Sequence, residues 1–393
     1  MTGGSVQEEF ETVGKRGEES ALARRDEGSP ASVLHIGKYY PPHVGGIETH
    51  VKYLVSHQSS TMAVEVVVAN DRAVTRTEVL DGARITRVAT FGTLASQPIC
   101  PSLAWELAGR SEAIVHMQLP NPWAAQAYLM SRHKGKLIVT HQADTLGRRH
   151  LRQFVEPFVR RVMERAAAII VTSGRYLKNS EELTGFHHKC HVVPLGIDVE
   201  AFTGEAPEEV SRIHAKYGPR VIVAVGRLVP YKGFEFLVQA MKDVDATLLL
   251  IGTGPLQEQL ETMIERLGMA GKAHLLGHVD NLVPYYKAAK MLVLPSVSRA
   301  ESFGLVQVEA MAAGIPVVNT EIDSGAPEVS IDGVTGITVP PKDPKALAGA
   351  ITILLENGET RAKYGQAASV RAREEFSAQR MAERTLRVYE SVL

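Results

Sequence analysis

Arg227 and Lys232 lie on one short segment bounded by glycines, Gly226-Arg227-Leu228-Val229-Pro230-Tyr231-Lys232-Gly233. A forked guanidinium and a compact ammonium on one tight loop can neutralise both phosphates of a diphosphate leaving group. The same residues also describe a solvated basic turn. Further along, Glu301-Ser302-Phe303-Gly304-Leu305-Val306-Gln307-Val308-Glu309 carries two carboxylates with seven residues between them. A helix is expected over 303–313, with Glu301 just ahead of it and Glu309 on its second or third turn. Backbone donors at Phe303 and Gly304 would meet a phosphate at the positive end of that helix. The Glu309 carboxylate suits ribose hydroxyls. The plainer readings are a helix-capping acid at Glu301 and a solvated helix face at Glu309.

Two more segments have the right chemistry. Gly45 and Gly46 close the run Gly37-Lys38-Tyr39-Tyr40-Pro41-Pro42-His43-Val44-Gly45-Gly46. Paired glycines let backbone N–H groups approach a phosphate with no Cβ in the way, although a plain strand-to-helix turn reads the same. His141, in Thr140-His141-Gln142-Ala143-Asp144, is expected to face a cleft, where it could bind sugar hydroxyls or the charge that develops at an anomeric carbon. A satisfied structural histidine is the alternative.

The elements that must position these residues are legible in the apolar pattern. Short β-branched runs at 33–36, 64–68, 113–115, 137–140, 168–171 and 192–193 read as buried parallel strands, with helical patterns at 49–55, 124–131 and 151–165 between them. The pattern restarts with strands at 221–225, 247–251, 274–276, 291–294 and 316–318, and helices at 234–241, 256–267, 283–289 and 303–313. Strands alternating with helices imply doubly wound sheets covered on both faces. Ligands of such sheets sit beyond the carboxyl ends of the strands, which is where all four segments fall. Across 196–217 the apolar pattern lapses, and the boundary between two domains is placed there. Helical patterns fill 344–393.

Composition narrows the class. A length of 393 residues suggests two domains, and 45% hydrophobic with 22% charged residues is a globular mix. With 43 basic and 44 acidic side chains the formal charge is −1, which argues against a nucleic-acid binder. Cys100 and Cys190 offer neither a disulfide framework nor a metal-ligand spacing. The first 32 residues read as a disordered tail without the apolar core of a signal peptide, and a soluble protein is expected. Arg148, Arg149, Arg152, Arg160, Arg161 and Arg165 crowd one region. They read either as a solvated helix face paired with Glu156 and Glu164, or as peripheral contact with anionic lipid. Asp243-Val244-Asp245 mimics a metal-binding acidic triplet, but it precedes a strand and so falls at the wrong edge of the sheet. Gly252-Thr253-Gly254-Pro255 lacks the third glycine of a dinucleotide fingerprint.

Taken together, the four segments resemble the large retaining glycosyltransferase family of GT-B fold that includes bacterial mannosyltransferases and sucrose synthases. The most specific part is the Glu301/Glu309 pair followed by Ala312-Ala313-Gly314-Ile315-Pro316-Val317-Val318. The resemblance implies two facing Rossmann-like domains: an acceptor-side domain over 33–198 and a nucleotide-sugar domain over 199–376. A last helix, 377–393, would cross back to the first domain. It also implies that Arg227 and Lys232 hold the donor diphosphate, with support from Gly46. Glu309 would bind ribose, Glu301 the transferred sugar, and the backbone near Gly277-His278-Val279 the base. His141 would lie near the reacting sugar. The implied reaction moves a sugar from GDP-mannose or a UDP-sugar to a glycan or lipid-linked acceptor with retention and without a metal cofactor. It would take place in the cytoplasm or at the inner face of the membrane. A nucleotide-sugar epimerase of the same fold and a silent nucleotide-binding scaffold are the competing readings, and the presence of Arg227, Lys232, Glu301 and Glu309 together argues for transfer.

Overall fold

The computed structural model describes residues 32–43, 45–94, 97–144 and 149–393, with backbone alone for 149–155. The expected tail, apart from Ser32, therefore lies outside the described residues, as do Arg148 and the side chains of Arg149 and Arg152.

The first sheet contains β1 (Val33–Ile36), β2 (Val64–Ala69), β3 (Arg76–Leu80), β4 (Ala83–Val88), β7 (Ile114–Leu119), β8 (Lys136–His141), β9 (Ala168–Val171) and β10 (Cys190–Val192), while β5 (Thr93–Leu94) and β6 (Gln97–Pro98) form a separate small hairpin. Its order is β10-β9-β8-β7-β1-β2-β4-β3, parallel throughout except for β3 against β4. Sequence reading missed the β3–β4 hairpin, because β3 is exposed on both faces and shows no apolar run. Its turn does carry a local signal: Asp81 and Gly82 both have positive φ, 52° and 78°, as an Asp-Gly hairpin turn requires.

The second sheet contains β11 (Val221–Val225), β12 (Thr247–Ile251), β13 (Ala273–Gly277), β14 (Ala289–Leu294), β15 (Val317–Thr320) and β16 (Gly336–Val339), in the order β13-β12-β11-β14-β15-β16 and wholly parallel. The central strands of each sheet are buried on both faces, which explains their nearly continuous apolar runs. In each sheet the strand order reverses at one point, beside β1 in the first and between β11 and β14 in the second. A crevice opens at the carboxyl ends there.

The two Rossmann-like units are joined where the chain crosses at Ile197 and again at Ser377. The crossings lie side by side: the Ile197 N–H donates to the Phe376 carbonyl at 2.9 Å and the Ala378 N–H to the Ile197 carbonyl at 2.7 Å. Helix Ala378–Glu390 then packs its buried Met381, Ala382, Val388 and Tyr389 against the first sheet and helix Gly46–Gln58. Among the described residues no helix is long and apolar enough to cross a membrane.

Two expectations are corrected. The stretch read as an irregular boundary contains helix Pro207–Tyr217, opened by a proline and by Glu208 and Glu209 in its first turn, with Ile213 buried. A single buried position leaves too narrow an apolar stripe to stand out in sequence. The helix expected over 303–313 is Leu305–Ala312, because Gly304 sits at φ 76°, outside helical geometry.

Candidate active site

The basic loop leaves β11 at the switch point of the second sheet. It is clamped by the neighbouring turn: the Leu228 N–H donates to the Thr253 carbonyl at 2.9 Å and the Leu256 N–H to the Leu228 carbonyl at 3.1 Å. At Gly252, φ is 139° and a Cβ would lie 2.0 Å from the Gly226 carbonyl oxygen, so only glycine lets the two loops meet. The glycines at 252 and 254 thus shape the basic loop rather than form a dinucleotide fingerprint. Lys232 is buried and its Nζ lies 2.5 Å from Glu301 Oε2, with both side chains 9% exposed. Glu301 also accepts from the Ser296 hydroxyl at 3.0 Å, and the Ser296 carbonyl accepts from Thr320. Arg227 is exposed and forms no ion pair among the described residues.

Helix Leu305–Ala312 starts at this pair. Phe303 precedes it and is buried, edge-on to Phe376 at 5.8 Å, so its side chain belongs to the core and only its backbone can serve a ligand. Glu309 is not a solvated helix acid. Its Oε2 accepts from the Tyr286 hydroxyl at 2.7 Å. Burial raises the Glu309 carboxyl above the usual range, while the Tyr286 hydrogen bond and the Lys232 charge oppose that rise. Burial raises the Tyr286 phenol still more strongly, and the Glu309 charge adds to it.

Gly46 opens helix Gly46–Gln58 at the carboxyl end of β1 and faces Leu305 across the cleft. A Cβ built there would meet only Leu305 Cδ1, at 4.0 Å. Gly45 is extended at φ −178°, a conformation open to any residue, and the Glu48 carboxylate occupies the space beside it. Val279 packs half-buried against the second-domain core, following Gly277, whose carbonyl accepts from the Gly252 N–H at 2.8 Å.

The expectation that His141 faces the cleft is corrected. The residue is fully buried, with Nδ1 2.6 Å from the Tyr176 hydroxyl and Nε2 3.0 Å from Glu182 Oε2. The Tyr176 hydroxyl donates to Asp144 at 3.1 Å, and Ser180 donates to the same oxygen. Both ring nitrogens are therefore taken, and His141 organises the loop of Asp144 from beneath. His141, Asp144 and Glu182 bring three potential metal-ligating atoms within 4.8 Å of one another. In this arrangement they are engaged with each other and with Tyr176 and Ser180.

Sequence reasoning missed Tyr286, Ser296, Tyr176 and Glu182. Ser296 could have been found by its place just beyond β14. The others reach the site from elements whose neighbours only the strand order reveals. The acidic decoy is set apart as expected: Asp243 ends a short 3-10 turn and Asp245 lies 3.6 Å from Arg220. On the basic helix of the first domain, Arg160 and Arg161 face Glu164 at 3.2 and 3.5 Å.

Comparison with known proteins agrees with this geometry. Residues 207–371 match the family "Glycosyl transferases group 1", and residues 44–201 match "Glycosyltransferase Family 4". The chain is 29% identical to the D-rhamnosyltransferase WbpZ of Pseudomonas aeruginosa over 70% of its own length and 72% of that protein. It is 25% identical to the O-antigen chain mannosyltransferase C of Escherichia coli over 92% and 98% of the two chains. Among solved structures, Anabaena Alr3699/HepE in complex with UDP and glucose superposes with a TM-score of 0.73 at 20% identity, covering 92% of this chain and all (100%) of that one. Glycosyltransferase domains are thus matched in order on the two facing Rossmann-like units, and the chain carries a group 1 glycosyltransferase domain over 207–371 within a GT-B fold.

Proposed function

We propose that this glycosyltransferase moves a hexosyl group from a nucleotide-diphosphate sugar to a glycan or lipid-linked acceptor, with retention of configuration and without a metal, in cell-surface polysaccharide or glycolipid synthesis. The observation that supports this reading most is the meeting, at one switch point, of Arg227, the Lys232–Glu301 pair and the start of helix Leu305–Ala312, opposite Gly46. Charge grows on the departing diphosphate as the glycosidic bond breaks, and fixed cations with a helix N-terminus stabilise it with no reorganisation at the moment of reaction. Lys232 gives one N–H to Glu301 and keeps two for phosphate oxygens. Exposed Arg227 supplies the second cation. Glu309, oriented by Tyr286, accepts from the ribose hydroxyls, and Glu301 from a hydroxyl of the transferred sugar. Backbone groups near Val279 hold the base. The acceptor approaches from the face that the diphosphate leaves, and its proton passes to a phosphate oxygen. His141 acts through Asp144 and Glu182 rather than by touching the sugar.

The mannosyl and rhamnosyl transfers named for the relatives favour a nucleotide-linked mannose or rhamnose as donor. Thermal shift with a panel of GDP-, UDP-, ADP- and dTDP-sugars, with and without EDTA, tests this, since a ligand that binds the folded state raises the melting temperature. The expected result is a clear shift with one nucleotide class, unchanged by EDTA. A shift that requires a divalent ion would overturn the metal-free mechanism, and no shift with any donor would count against the donor site.

A further inference from the structure

The two domains touch along a second line, apart from the covalent crossings at Ile197 and Ser377. From the first domain come Asp144, after β8, and helix Gly174–Asn179 with its cap Ser173, after β9. From the second come the loop after β14, which bears Arg299 and Glu301, and the segment after β15, which bears Glu321 and Asp323 in its loop and Glu328 in the short helix Ala326–Val329. Arg299 Nη1 lies 3.9 Å from Asp144 Oδ2, and its Nη2 lies 3.6 Å from Glu181 Oε1. Arg175 bonds Glu321 and lies 3.9 Å from Asp323, while its backbone N–H donates to Glu328 at 2.9 Å. The approach is close: a Cβ on Gly325 would lie 2.6 Å from Ser173 Oγ. The two second-domain loops are themselves tied, the Gly325 N–H donating to the Ser302 carbonyl at 2.9 Å.

We infer that Arg175 and Arg299 are positioning residues forming an electrostatic latch that holds the two domains together over the transfer site. The placement carries the inference. Arg299 stands two residues before Glu301, the partner of Lys232, and reaches the Asp144 carboxylate that hydrogen-bonds Tyr176 beneath His141. One guanidinium thus fixes the donor-side loop against the acceptor-side loop. The latch is built to reopen. Arg175 and Arg299 are 28% and 38% exposed, and their partners Glu321, Asp323 and Glu181 54%, 79% and 65%, with Asp144 at 9% the buried one, so the pairs are partly solvated and screened by salt. Partly solvated pairs of this kind shift a closed-to-open ratio by about two- to five-fold each. That is enough to bias closure without trapping product. The inference rests on the proposed donor site only in assigning this closure to catalysis.

The test combines two readouts on Arg175→Gln, Arg299→Gln and the double variant. Small-angle X-ray scattering without any nucleotide should show a larger radius of gyration for the double variant. Raising NaCl should expand the wild type and leave the double variant nearly unchanged. With an active donor, the variants should raise donor KM about three- to ten-fold with a smaller change in kcat, because only the fraction of molecules in the competent arrangement binds tightly. Arg175→Lys and Arg299→Lys, which keep the charge, should recover most of the loss. Scattering and salt dependence identical to the wild type would overturn the latch. If the double variant does not fold, Arg175→Gln, at a partly exposed position, carries the same test alone. Scattering needs no turnover, so an expanded variant alongside a wild type inert with every nucleotide-sugar would sink the transferase reading and leave the latch standing.

Discussion

Removing the Lys232 ammonium, as in Lys232→Met, leaves the Glu301 carboxylate in a site where its side chain is 9% exposed and the Ser296 hydroxyl remains as a donor. Breaking a buried pair on one side costs about 3–5 kcal/mol. Lys232→Met should therefore lose about 3–5 kcal/mol at pH 7. Lys232→Met/Glu301→Gln should regain part of the stability, because neither charge is then stranded. Activity should not follow. Each single variant should lower kcat/KM by about 10²–10³, the scale of a lost oxyanion-type donor, and the double variant should stay low. Urea unfolding of the four proteins at pH 7.5 and 5.5, beside single-turnover donor kinetics, measures both cycles. Stability changes that add within about 0.5 kcal/mol would refute the coupling and with it the reasoning from burial.

Two further outcomes are expected. Tyr286→Phe removes the donor to Glu309 and lets burial raise that carboxyl further; nucleotide affinity by calorimetry should fall about five- to ten-fold, the net worth of one typical hydrogen bond, with kcat little changed. Beneath helix Ala378–Glu390, burial lowers His35, beside Gln58, to about 4 and His50, beside Met381, to about 3. Both rings are neutral in the fold and titrate near 6.5 when unfolded. Stability is therefore kept above pH 6.5 and lost below it, about 2 kcal/mol for each ring between pH 7 and 5. Urea midpoints of wild type and His50→Leu over that range should differ in slope, and parallel lines would exclude the buried histidine as the source.

The sequence by itself determined the layers and the loops that matter. Strands buried on both faces leave unbroken β-branched runs, so β11 and β12 were bounded to the residue, and the loops of Gly46, His141, Arg227 and Glu301 all fell at carboxyl ends. Those signals live within a few residues: a period of side chains, a turn glycine, two acids a fixed number of positions apart. What tertiary structure decided were the partnerships. Lys232 meets Glu301 because β11 and β14 are neighbours across a reversal of strand order, and Tyr286 reaches Glu309 across a helix-to-helix contact. Sequence leaves His141 open between a cleft-facing and a structural role, and Tyr176 and Glu182, contributed from after β9, enclose it. Arg175 and Arg299 find their acids only because two sheets face each other. Local backbone preferences are written in adjacent residues, whereas the pairing of distant side chains follows from strand order and the angle between domains, which depend on burial summed over the whole chain.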